Sequence, residues 1–183
     1  VVSENVTPAV AEKVTIYQKT KKLLRDFTKK ILSGTAELTL QPHFYDQNKL
    51  TLDAKYFKIN DVFLKTPTNE TKKLPFTYDT LKLTIDLEKY YTRNDKIKIV
   101  IDYVAQPYAQ DSLQVEAGRG MYFINTEGKN PYKPMHLWTQ GEEESSSCWF
   151  PTFEAVNQKK LGSVANATIQ DADTLYILMT GSQ

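Results

Sequence analysis

The residues best suited to chemistry lie in one stretch, Pro134–Pro151, reading PMHLWTQGEEESSSCWFP. It holds both tryptophans of the chain, Trp138 and Trp149, and its only cysteine, Cys148. Between the aromatic ends runs Thr139-Gln140-Gly141-Glu142-Glu143-Glu144, followed by Ser145-Ser146-Ser147. Aromatic groups on both sides would pin such a run to a core, and Gly141 lets the backbone turn tightly between Gln140 and Glu142. One amide and one or more carboxylates on a rigid support suit a cation, most simply an amine, held by charge-assisted hydrogen bonds. The competing reading of Glu142–Glu144 is a solvated acidic loop, because exposed charge runs are common. No nucleophile stands beside a base. Cys148 has Ser147 and Trp149 as neighbours and no local histidine, so a buried apolar thiol explains it better than a thiolate. A catalytic zinc needs three protein ligands and a water. The two histidines, His43 and His136, lie far apart in sequence, and neither is assigned a metal role.

The elements that must carry this stretch are strands. With 183 residues, the chain is long enough for one domain with a sizeable core. From Gly34 onward the apolar period is two. Ala36, Leu38 and Leu40 alternate with polar residues, and so do Leu50, Leu52 and Ala54. The same holds for Leu81, Leu83, Ile85 and Leu87, and for Ile97, Ile99, Ile101, Tyr103 and Ala105. Each run predicts a strand with one buried and one wet face. Turn signals fall at Asp46-Gln47-Asn48, Asn60-Asp61, Thr66-Pro67-Thr68-Asn69 and Arg93-Asn94-Asp95. Short strands at this spacing predict an all-β fold, an antiparallel β-sandwich or related curved sheet. Residues 106–120 form a long connection marked by Pro107 and Gly118-Arg119-Gly120, Met121–Asn125 is a buried strand, and Leu175, Ile177 and Met179 suggest a last one. Residues 1–12 are a loose polar lead to a single β domain over 13–183. Residues 13–32 are ambiguous: Val14, Tyr17, Leu24, Phe27 and Ile31 recur at near-helical spacing, with no Gly or Pro between Ala9 and Ser33.

The net charge of +1, from 23 basic and 22 acidic residues, gives no global field for nucleic acid or an anionic membrane. No apolar run approaches the roughly 20 residues of a transmembrane segment. A lone cysteine makes no internal disulfide and leaves periplasm, cell surface and cytoplasm equally open.

Taken together, several motifs resemble the gluzincin zinc aminopeptidases, the family of aminopeptidase N and leukotriene hydrolase, at the end of their N-terminal β domain. They are Trp138-Thr139-Gln140-Gly141-Glu142, Cys148-Trp149-Phe150-Pro151 and Asn157-Gln158-Lys159, with Gly120–Asn125 upstream. Asp26-Phe27-Thr28 followed by Ile31–Leu38 fits the same pattern, so the resemblance spans residues 24–160. One departure is Glu154-Ala155-Val156, where the family has an Asp-X-Pro. The resemblance implies a saddle-like antiparallel sheet, with a strand near Val14–Leu24 and a turn through Asp26–Lys30 in place of the helix. Alternating lysines over Lys19–Lys30 then read as protection of a strand edge. It further implies that Gln140 and Glu142 hold the free α-amino group of a peptide substrate. That contact counts residues and places the first peptide bond at the metal. Zinc and the His-Glu-X-X-His helix, whose glutamate is the general base, belong to a catalytic domain absent from this sequence. The expected role is thus a non-catalytic domain with no cofactor of its own. Its expected partners are the catalytic domain of the same parent protein and a peptide N-terminus. The alternatives are a stand-alone β-sandwich used for binding or adhesion, and a catalytically inactive homologue. An exposed apolar face near Trp138–Pro151 separates a docking domain from a self-sufficient module.

Overall fold

The computed structural model describes residues 14–26, 29–42, 45–106, 120–139, 145–153, 163–165 and 177–179. Twelve strands run through them. They are β1 (Val14–Asp26), β2 (Ile31–Pro42), β3 (Gln47–Asp53), β4 (Phe57–Lys65), β5 (Thr71–Lys73) and β6 (Phe76–Tyr78). The others are β7 (Lys82–Tyr91), β8 (Ile97–Ala105), β9 (Met121–Ile124), β10 (His136–Thr139), β11 (Ser163–Ala165) and β12 (Ile177–Met179). A six-stranded sheet has the order β11-β1-β2-β8-β4-β5, and two three-stranded sheets have the orders β3-β7-β6 and β12-β10-β9. All pairings are antiparallel except β1 with β11 and β10 with β12, which are parallel. The fold is all-β, as expected; among the described residues no helix is long and apolar enough to cross a membrane.

The alternation along β8 sets the core. Ile97, Ile99, Ile101, Tyr103 and Ala105 are all buried on one face. They lie opposite Leu40, Leu38, Ala36, Gly34 and Leu32 of β2. Leu50 and Leu52 of β3 and Leu83, Ile85 and Leu87 of β7 join the same core, as do Met121, Phe123, Leu137 and Trp149. Burial of this apolar surface is the main stabilising term, at about 25 cal/mol per Å² removed from water.

Residues 14–26 are a strand, despite the helical spacing of their apolar residues. Twelve rungs tie β1 to β2, from Val14 opposite Pro42 to Asp26 opposite Ile31. The edge-protection reading of the lysines does not hold over Gln18–Thr20, because β11 pairs there on the other side of β1. Asn60-Asp61 is not a turn. It lies inside β4 at a bulge, where the register against β8 slips between Ile59 and Asp61. The extra residue moves the apolar phase by one, from Phe57 and Ile59 to Val62 and Leu64. Leu81 is 45% exposed instead of buried. It sits in a turn capped by the Asp79 carboxylate, which accepts from the backbone N–H of Lys82 at 2.6 Å and of Leu81 at 2.9 Å. Those two bonds hold the Asp79 carboxyl below its usual pKa, the Lys82 bond first. Glu37, on the expected wet face of β2, is 9% exposed, with Lys65 at 3.7 Å.

Tyr78 staples the β6 end of the small sheet to the β3–β4 connection. Its hydroxyl accepts from the Phe57 N–H at 2.7 Å, and its one proton is shared between the carbonyls of Ala54 at 2.7 Å and Thr80 at 2.9 Å. Burial pushes its pKa from 10.0 to about 12. A folded pKa raised above the unfolded one gives stability that is full below about pH 10 and is lost as pH rises through about 12. The urea midpoint is therefore expected to fall between pH 9 and 11.5, and to fall less in Tyr78→Phe. An equal fall in both proteins assigns the alkaline loss to other groups.

Candidate functional site

Gln140, Gly141 and Glu142–Glu144 lie outside the described residues, as does His43, but the supports on both sides of the segment are defined. On the N-terminal side, Thr139 ends β10 and is buried, with Met121 of β9 directly opposite. Trp138 pairs with Tyr122, and the two half-buried rings lie 4.9 Å apart, tilted by 34°, on the face away from the core. Only one of the two tryptophans is therefore a core anchor.

On the C-terminal side, Ser145–Cys148 form a single 3-10 turn, which closes as Ser146 O accepts from the N–H groups of Trp149 and Phe150. Three contacts fasten this turn and the residues after it to the sheets. The Lys55 N–H donates to Ser147 O at 2.8 Å. The Tyr103 hydroxyl donates to Trp149 O at 3.0 Å. Thr152 and Asp53 exchange two backbone bonds at 2.8 and 2.9 Å, forming an isolated antiparallel bridge. Asp53 in turn holds Lys82 at 3.1 Å. Trp149 packs edge-on against Phe150 at 4.3 Å and joins the main core. Its indole Nε1–H is buried with no hydrogen-bond partner among the described residues. Such a donor is uncommon inside a protein and costs about 1–3 kcal/mol.

Neither terminus of the segment carries catalytic machinery. Cys148 is a buried thiol. His136 is half-buried, with Nδ1 at 2.8 Å from Pro134 O. Among the described residues no group of three or more His, Cys, Asp or Glu side chains could hold a metal ion.

Sequence reasoning overlooked two supporting residues. Tyr103 was legible only as one more core position on β8, and nothing local marked its hydroxyl for Trp149. Gly120 was read as a loop marker. It has φ +60, and a Cβ built on it would stand 1.9 Å from Ser145 O and 3.3 Å from Cys148 Cβ. A glycine placed directly before a buried strand is the signal that could have flagged such a close approach.

The described residues form an all-β domain, and no metal-binding group lies among them. Comparison with known proteins gives its family. Residues 15–161 match the peptidase M1 N-terminal domain, and the chain belongs to that family. The fold is similar to native yeast LTA4 hydrolase, with a TM-score of 0.61 and 17% identity over 88% of this chain and 26% of that one. It is also similar to a variant of the M1 zinc metallopeptidase from Deinococcus radiodurans bound to a Tyr-Ser-Ala substrate. That likeness has a TM-score of 0.54 and 13% identity over 77% of this chain and 29% of the other. The chain thus spans about a quarter of the yeast enzyme's length. No curated protein matches it with significance.

Proposed function

We propose that this chain is the non-catalytic N-terminal domain of a zinc aminopeptidase, docking on the metal-bearing domain and supplying Gln140 and Glu142 to the pocket for the substrate's α-amine. The observation that carries the reading is the family match over residues 15–161, which includes both side chains. The chemistry agrees with it. A carboxylate in a partly dry pocket binds an ammonium through charge-assisted bonds about twice as strong as neutral ones. An amide beside it adds an acceptor without a second charge to desolvate.

Docking is supported by apolar surface beside the segment. Tyr122 and Trp138 are half-buried on the outer face of β9–β10, Met135 is 42% exposed and Tyr132 is 94% exposed. Aromatic groups of this kind dominate interface energetics. Trp138→Ser is expected to weaken association between this domain and the metal-bearing domain at least tenfold, measured by titration calorimetry with the separated domains. Unchanged affinity places the interface elsewhere.

The reading itself is tested on the encoding reading frame. Continuation past Gln183 into His-Glu-X-X-His with a further glutamate downstream, one zinc per protein, and release of N-terminal residues from peptides are the expected results. A frame without that helix turns the assignment toward a binding module or an inactive homologue.

A further inference from the structure

We propose that Gly120 is a positioning residue for the amine-binding segment, because it seats the far end of that segment beside Met121, which pairs with the near end. The inference rests on the role given above to Gln140 and Glu142. Thr139, the last residue before the segment, lies opposite Met121 in the β9–β10 ladder. Ser145, the first residue of the turn after it, seats its carbonyl against the Cα of Gly120, where a Cβ would come within 1.9 Å of the oxygen. Gly120 and Met121 are adjacent, and both are buried. The chain therefore leaves the Gly120-Met121 dipeptide at Thr139 and returns to it at Ser145. Closing a loop at its base restricts the positions its side chains reach. A carboxylate that must meet an ammonium within hydrogen-bond distance depends on that restriction.

Gly128 supplies the control. It also has positive φ, +65, but a Cβ built there meets nothing within 4 Å. Gly128→Ala carries only the backbone strain of a left-handed alanine. Gly120→Ala carries the same strain and must also displace the Ser145 carbonyl. The comparison separates the contact from the dihedral.

Two readouts test the clamp. The first is the single cysteine. Cys148 ends the turn that Gly120 holds and is buried. Below the unfolding temperatures of both variants, an aromatic disulfide reagent is expected to label Cys148 at least tenfold faster in Gly120→Ala than in Gly128→Ala. The second is the kinetics of the protein that the full reading frame encodes. There Gly120→Ala is expected to raise KM for a peptide with a free α-amine at least fivefold over Gly128→Ala, with kcat within twofold. Equal labelling rates overturn the clamp. Faster labelling with an unmoved KM overturns its role in positioning. Glu142→Gln in the same assay separates the proposal from its premise. If Glu142→Gln raises KM and Gly120→Ala does not, amine recognition stands and the positioning role falls. If neither moves KM, both fall. Should Gly120→Ala not fold, Ser145→Gly frees the backbone that carries the same carbonyl without adding an atom. Faster Cys148 labelling and a raised KM are expected again, and unchanged values overturn the proposal.

Discussion

Tyr103→Ala is expected to lower folding stability by about 4 kcal/mol or more, read as a fall in the urea midpoint at neutral pH. The ring is fully buried at the centre of the six-stranded sheet, with Gly34 of β2 on one side and Ile59 of β4 on the other. It stacks on Phe57 at 4.9 Å with an interplanar angle of 13°. Removing a buried aromatic ring costs about 3–5 kcal/mol where the surroundings cannot collapse into the space. Gly34 has no side chain to fill it, and Phe57 would lose its stacking partner. The hydroxyl adds a second effect. Without it, Trp149 O loses a buried donor, and an orphaned carbonyl costs about 1–3 kcal/mol. Against a total of about 5–15 kcal/mol for a domain, the combined loss leaves little margin. Tyr103→Phe isolates the hydrogen bond and is expected to cost about 1–2 kcal/mol. Should Tyr103→Phe unfold at the wild-type midpoint, the bond to Trp149 O contributes nothing to the fold.

That bond also shows where sequence reading stops. A period of two places Tyr103 on the core face of β8 without difficulty, since Ile97 to Ala105 alternate cleanly and all five predicted core positions of that strand are buried. Periodicity names a face but not a partner, and Trp149 is 46 residues away along the chain. Legibility fails for a different reason at β4. Phe57 and Ile59 announce one phase and Val62 and Leu64 another, because the bulge at Asn60 inserts a residue between them. A polar Asn-Asp pair at the break then looks like a turn. In β7 the alternation fails at Lys89, which is in phase with Leu87 and Tyr91 yet exposed, beside Glu88 with φ +61. For β1 the two kinds of reading disagreed. Spacing gave a helix and the resemblance gave a strand. Pairing with β2 along its whole length decides the matter, since a long-range ladder outweighs a weak local propensity.

The supports of the site follow the same division. Chain order put an acidic run between two tryptophans and suggested that both anchor it. Trp149 does enter the core, whereas Trp138 lies on the outer face of β10 against Tyr122. Strand parity explains the difference. Leu137 and Thr139 take the buried positions of β10, so Trp138 between them must face the other way. The half-buried ring becomes docking surface in the proposed role, while the buried one holds the turn that follows the acidic run.

In the full-length enzyme of the proposed reading, Glu142→Ala is expected to reduce kcat/KM for peptides with a free α-amine by about 10- to 100-fold, the loss of one hydrogen bond between charged partners at about 1.5–3 kcal/mol. Most of the loss should appear in KM, because the contact is made in the bound substrate as well as in the transition state. A fall in kcat accompanies it to the extent that the same contact holds the first peptide bond at the metal. Two controls sharpen the result. Glu143→Ala and Glu144→Ala remove the same charge from neighbouring positions, so parallel losses there would indicate a diffuse acidic field in place of a single anchor. Raising the salt concentration tells the same two cases apart, since a field over exposed charges is screened within about 8–10 Å and a desolvated contact is screened much less. The pH profile gives the sign of the charge being recognised. A peptide α-amine loses its proton near pH 8, so wild-type KM should climb above that pH, and the climb should flatten in Glu142→Ala once there is no anion left to prefer the ammonium. A variant that keeps the wild-type slope removes Glu142 from the amine site, whatever its effect on rate.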